Sequence, residues 1–278
     1  MANILLVGGG YIGGRVANAL VEQGHQVTVL KRSKPQEPFL ACHRVGDVSC
    51  PKTLDDLDFD VDQLIYILSP DGAEVASYQA VFEVGVDNLL SILKKRNPKV
   101  ELLFVSSTRV YGQQQGEWLN EKSETKPVDD RGMLLLSAEK KFLAFNEKTT
   151  IVRFSGIYGR LSMGSRCKKV IVQREPPRYT NRIHWEDCVG ALVFLINKKH
   201  NGALSYPIYI ATDHEPEEKW IVEVYLSGIL GLNNPVPREL EENLNRNKRL
   251  DNKRLIEEGY KFKFKNYREG YAQGINEK

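Results

Sequence analysis

The chain has 278 residues, 41% of them hydrophobic, with 39 Lys and Arg against 36 Asp and Glu and a formal charge of +3. This is ordinary globular composition, and it excludes disordered, collagen-like and fibrous classes. Surface-to-volume scaling lets such a chain bury roughly 75% of its unfolded surface, which suits one large α/β domain or a main domain with a small partner.

The start, MANILLV, has no basic region before its apolar run and leads straight into glycines. It reads as a first strand rather than a signal peptide, so a cytoplasmic location is expected. Apolar runs at 4–7, 26–30, 64–68, 102–105 and 150–154 recur between helical patterns. Runs apolar on both faces are what a parallel sheet covered on both sides needs, so the fold class is α/β with a doubly wound parallel sheet. The first helix shows Val16, Ala17, Leu20 and Val21 at helical spacing, and a later one shows Val81, Val86, Leu89, Leu90 and Leu93 before Asn97-Pro98 stops it.

Residues 112–132 are polar and read as a surface loop bordering a site. Beyond Gly159 the rhythm weakens to a strand at 168–173, a helix at 185–197, a strand at 206–210 and a helix at 220–230. The alternation at 260–265, YKFKFK, predicts a half-buried strand with a lysine face. A Rossmann-type core over 1–160 and a smaller substrate-side portion over 161–278 are expected, with the helix near 185–197 returning to the core. No apolar run approaches the roughly 20 residues of a bilayer crossing. Cys42, Cys50, Cys167 and Cys188 stand apart with no C-x-x-C pair and no histidines at ligand spacing. They are read as free thiols, and no metal site is expected. Neither a nucleic-acid partner nor a membrane partner is expected, because the basic residues of the tail are diluted by acids.

Gly8-x-Gly10-x-x-Gly13 follows the first strand and opens the first helix. Gly8 suits a tight turn, Gly10 leaves backbone room for a pyrophosphate, and Gly13 permits close helix-to-strand packing. The N–H groups around Tyr11 and Ile12, at the positive end of the helix, complement phosphate without a lysine. The second strand ends in Lys31-Arg32-Ser33, where an NAD binder places an acid for the ribose 2′-hydroxyl. Two cations and a hydroxyl suit a 2′-phosphate, so NADP(H) is favoured as cofactor, with NAD(H) as the alternative.

These residues, with Gly46-Asp47-Val48, Leu103 to Gly112 (LFVSSTRVYG), Arg153, Gly156-Ile-Tyr-Gly159 and Arg182-Ile-His-Trp-Glu-Asp187, resemble the extended short-chain dehydrogenase/reductases of the epimerase/dehydratase superfamily. Gly116-Glu-Trp118, Lys248-Arg249 and Asn252 are similar to its atypical YeeZ-type members. The resemblance implies a Rossmann fold, an adenine contact at Asp47, a catalytic Ser107, a small polar substrate or nucleotide sugar, and a homodimer formed through helix packing. Aligning on Glu139 puts Arg131 and Leu135 where the family carries the Tyr and Lys of Tyr-x-x-x-Lys. Leucine cannot lower a phenol's pKa, and an arginine stays protonated at any working pH, so neither position replaces the lost pair. Ser107 remains to bind a carbonyl or hydroxyl, Tyr111 is a candidate proton donor, and Arg131 is a candidate clamp for an anion. The alternative is a module that binds NADP(H) and reports redox state without catalysis. His184 reads as structural, and Asp187 as an acid in the first turn of its helix.

Overall fold

A computed structural model describes residues 1–34, 40–159, 170–202, 204–238 and 247–276. The chain divides into two compact units. The first comprises Met1–Val110, Pro127–Arg153 and Val189–Tyr209, and the second Tyr111–Lys126, Phe154–Cys188 and Ile210–Lys278. In place of one cut near 160, the chain leaves the first unit after 110 and re-enters it at 127 and at 189.

Seven strands build the parallel sheet: β1 (Asn3–Val7), β2 (Gln26–Lys31), β3 (Cys42–Val45), β4 (Gln63–Tyr66), β5 (Glu101–Ser107), β6 (Thr149–Phe154) and β7 (Ile208–Ala211). Their order is β7-β6-β5-β4-β1-β2-β3. Every residue of β4 is buried, and so is β1 after its first position, as both-face coverage demands. Val7 stands opposite Leu30 of β2 and Tyr66 of β4, so these three strands end level and their loops leave from one edge.

β3 does not appear in the apolar rhythm because it is an edge strand: His43 and Arg44 carry its middle, and none of its residues is buried. Helix α1 (Tyr11–Glu22) buries Val16, Ala17 and Leu20 as its spacing predicts. Val75–Gln79 runs through a π-helical turn, Ala80–Val84, into α2 (Gly85–Arg96). The wider turn shifts the phase by one residue, so Phe82 rather than Val81 enters the core with Val86, Leu89 and Leu93. There Phe82 meets Phe104 edge-on, and Phe104 stacks on Phe142 of α3 (Asp130–Phe145) with centroids 4.6 Å apart. Helix α4 (Trp185–His200) extends the predicted helix by a turn.

In the second unit, α5 (Lys219–Ile229) and α6 (Tyr267–Asn276) pack on a cluster of Tyr158, Val222, Leu226, Tyr267 and Tyr271. The 112–132 segment is not all loop, since Glu117–Leu119 pairs in parallel with Lys248–Leu250. Two stretches that carry the YeeZ-type resemblance, far apart in sequence, thus form one ladder. Residues 260–265 are not a strand. Phe262 and Phe264 are buried and the lysines exposed, but the main-chain N–H groups of Lys263 and Phe264 donate to the Asp187 carboxylate at 2.7 and 3.0 Å instead of to a neighbouring strand. Of the strand expected at 168–173, Ile171–Gln173 forms, and 168–169 lie outside the described residues. Cys42, Cys50 and Cys188 are free thiols, and Cys167 lies outside the described residues. No described helix is long and apolar enough to cross a membrane.

Candidate functional site

The glycine turn sits where β1 gives way to α1, and its three glycines are held for different reasons. Gly8 has φ of 120°, and a Cβ there would stand 2.1 Å from the Ile67 carbonyl oxygen. At Gly13 a Cβ would stand 1.9 Å from the Gly8 carbonyl oxygen, so helix and turn touch through bare backbone. Gly10 is the opposite case: a Cβ there would meet nothing within 4 Å, and the residue is exposed. Gly10 caps α1 with no side-chain hydrogen bond, and no acid lies in the first turn. The amides of Gly10, Tyr11 and Ile12 thus stand at the start of a helix, where its dipole is positive, and the first turn brings no acid against it. The residues present fit an anionic group such as a pyrophosphate.

Beside this turn, the Lys31 side chain lies against Gly9, with its Cδ 3.4 Å from where a Cβ would be. Arg32 and Ser33 follow, both exposed. Arg32 makes a two-pronged ion pair with Asp71, which belongs to the loop after β4. The hydrogen bonds of this pair raise the Arg32 pKa and lower that of Asp71. Two residues on, the Ala73 carbonyl accepts from Arg131 Nη1 at 3.2 Å. The 71–73 segment is thus tied from both sides, by an arginine after β2 and by one in α3. Sequence reading finds no carboxylate at the end of β2, yet the fold delivers one there, and nothing local in the sequence marks Asp71. Asp47, just past β3, uses Oδ1 to accept from the Ser49 amide at 2.8 Å and the Ser49 hydroxyl at 2.7 Å.

Ser107 closes β5, half-buried, and its hydroxyl oxygen accepts from the Arg109 amide at 3.2 Å. Arg109 in turn clamps Asp129 through two bonds of 2.8 Å, and Asp129 caps α3 by accepting from Gly132 N at 2.8 Å. A Cβ at Gly132 would stand 2.7 Å from the Pro127 side chain and 3.1 Å from the Arg109 carbonyl oxygen, so the start of α3 presses closely on the turn after β5. This clamp brings Ser107 and Arg131 into one local framework. Leu135 is buried in the core. Further along the same helix, Glu139 is almost wholly buried and receives Arg153 Nε at 3.0 Å and Nη2 at 2.6 Å, a structural pair inside the first unit.

Tyr111 belongs to the second unit. It is 1% exposed and donates its phenol hydrogen to the Asn120 carbonyl at 3.0 Å, while its own carbonyl accepts from the buried Lys248 ammonium. His184 is packed against Phe264 and Tyr158, and its Nδ1 accepts from the Glu186 amide at 3.3 Å. Gly159, at φ of 94°, leaves room for that ring, since a Cβ would stand 2.1 Å from His184 Nε2. Asp187 is fully buried, and beyond the two amides it also accepts from the Tyr260 hydroxyl at 2.8 Å. It latches the 260–264 segment, a role that the sequence reading misses because its partners lie more than seventy residues away.

The model of the NAD dependent epimerase/dehydratase family matches residues 4–208. The chain belongs to this family. A structure from Methylobacillus flagellatus described as a candidate NAD-dependent epimerase/dehydratase is 31% identical over 99% of this chain and 98% of its own, with a TM-score of 0.80. A functionally unknown conserved protein from Silicibacter pomeroyi is 23% identical, with coverage of 100% and 99% and a TM-score of 0.75. The dTDP-glucose 4,6-dehydratase of Bacillus anthracis, solved in complex with NAD, shares the fold at 17% identity, with coverage of 99% and 96% and a TM-score of 0.80. Comparison with curated proteins found no match. As a member of the epimerase/dehydratase family the chain keeps the glycine turn and the sheet order that places it between the loops after β2 and β4.

Proposed function

We propose that the chain is an NADP(H)-binding enzyme related to the nucleotide-sugar epimerases and dehydratases, acting on a small polar metabolite or nucleotide sugar with proton chemistry that does not use Tyr-x-x-x-Lys. The observation that carries this reading is the contrast at the turn: Gly8 and Gly13 are closed by backbone while Gly10 stands open. Closed glycines serve the fold, and an open one at a helix N-terminus serves a ligand. In this reading the amides of Gly10, Tyr11 and Ile12 hold the pyrophosphate, Asp47 meets the adenine, and Lys31, Arg32 and Ser33 meet the 2′-phosphate. The NAD found with the Bacillus anthracis dehydratase supports a nicotinamide dinucleotide as the class of ligand.

When bound, the coenzyme supplies a hydride donor or acceptor. Ser107 orients the substrate carbonyl or hydroxyl, and Arg131 contributes positive charge. Tyr111 remains a candidate proton donor that first has to give up its bond to Asn120. That bond, together with the burial of Leu135, favours a second reading, a coenzyme-binding module that senses redox state without turnover. Calorimetric titration with NADPH and NADH, followed by absorbance assays of NADPH oxidation over carbonyl compounds and sugar nucleotides, separates the two. Binding with turnover is expected, binding without turnover on any compound assigns the sensor, and no heat with either coenzyme removes both.

A further inference from the structure

We propose that Asp71 sets the coenzyme preference of this chain by competing with a 2′-phosphate for the Arg32 guanidinium. The inference rests on the dinucleotide reading above and adds to it a residue that carries no signature in the sequence.

β1 lies between β2 and β4, and the three strands end level. Arg32 leaves the edge from β2 and Asp71 from the loop after β4, so their ion pair joins the two loops that flank the glycine turn. Both prongs of the guanidinium engage Asp71. A planar fork filled by one carboxylate cannot present the same pair of N–H groups to a phosphate. A coenzyme with a 2′-phosphate therefore has to displace Asp71 or bind the remaining Nε edge beside its negative charge, whereas one with a 2′-hydroxyl meets neither conflict. It can instead use the remaining lone pairs of that carboxylate as its acceptor, which is what the acid at the end of the second strand does in an NAD binder.

The pair is also free to respond. Its side chains are 52% and 67% exposed, and an ion pair so open to water is weak enough to yield to a doubly charged phosphate. The Ala73–Arg131 bond holds the loop independently, so removing the Asp71 charge changes the electrostatics without releasing the segment.

The test is calorimetric titration of NADPH and NADH into the intact protein, its Asp71→Asn and Arg32→Ala variants, and the double variant, with circular dichroism confirming that each is folded. Asp71→Asn is expected to tighten NADPH about tenfold while NADH changes by less than about threefold. Arg32→Ala is expected to weaken NADPH, and in its background Asp71→Asn should leave the ratio of the two affinities unchanged, the mark of a shared guanidinium. If both coenzymes bind but Asp71→Asn leaves their ratio as in the parent, or shifts it equally with and without Arg32, the role of Asp71 is overturned while the dinucleotide reading stands. If neither coenzyme binds the parent protein, the dinucleotide reading itself fails and this proposal with it.

Discussion

At position 213 a carboxyl group is 1% exposed, with Oδ1 accepting from the Glu215 amide at 3.2 Å and Oδ2 unpartnered among the described residues. Burial pushes its pKa from 3.8 up to about 8. Glu215 and Asp187 add to that rise, while the Glu215 amide and Arg182 oppose it. With the folded pKa above the unfolded one, the native state keeps a proton that the unfolded chain releases above 3.8. Stability is therefore fully present below 3.8 and falls as pH climbs through the window up to about 8. One such group contributes a slope of at most about 1.4 kcal/mol per pH unit. Lys199 has the opposite sign in a different window. Burial lowers its pKa from 10.5 to about 8, so it adds stability as pH rises between those values. The two effects can be read apart. Thermal melts of the parent and Asp213→Asn should lie close near about pH 3.5 and draw steadily apart up to about pH 8, with the variant more stable at the higher value. Parallel melting curves across that range would show that Asp213 ionises alike in both states.

The turn from β1 into α1 offers two substitutions of the same chemistry with opposite outcomes. Gly13→Ala forces a methyl against the Gly8 carbonyl, where the backbone of both elements has to move, and should cost about 2 kcal/mol or more in urea denaturation. Gly10→Ala meets open space and should cost less than about 1 kcal/mol, the difference between glycine and alanine at a helix N-cap. It should nevertheless weaken coenzyme binding about tenfold, because the methyl projects where the pyrophosphate approaches the amides. Similar losses of stability in both variants would contradict the division of roles within the turn. This element was legible in the sequence because its constraints are local: a turn, a cap and a close approach within six residues. β3 was not, since an exposed edge strand has no apolar face to betray it. The 260–265 segment misled for a related reason. Alternation marks any extended stretch with one buried side, and only the distant Asp187 decides that its amides bond to a carboxylate rather than to a strand. Arg32–Asp71, 39 residues apart, and the phase shift at the π turn likewise depend on tertiary context.

Over the whole chain, 39 basic residues against 36 acidic ones leave a charge of +3, too small to draw an anionic coenzyme from a distance. Whatever electrostatic attraction the molecule exerts on a dinucleotide has to come from local groups, and beside the glycine turn these include Lys31 and Arg32, opposed by Asp71 and Asp47. Interactions among groups as exposed as these are screened by salt, while the amides of a helix start act at contact distance and are screened far less. NADPH and NADH differ only in the 2′-phosphate, so the screened part of the binding should fall almost wholly on NADPH. Raising sodium chloride from about 50 to about 500 mM is expected to weaken NADPH clearly more than NADH. Asp71→Asn should steepen the NADPH dependence, because it removes a local charge that repels the phosphate. Titrations at four or five salt concentrations check both statements. Equal salt slopes for the two coenzymes would mean that the 2′-phosphate lies away from Lys31 and Arg32, and the preference for NADP(H) would then have no physical basis in this chain.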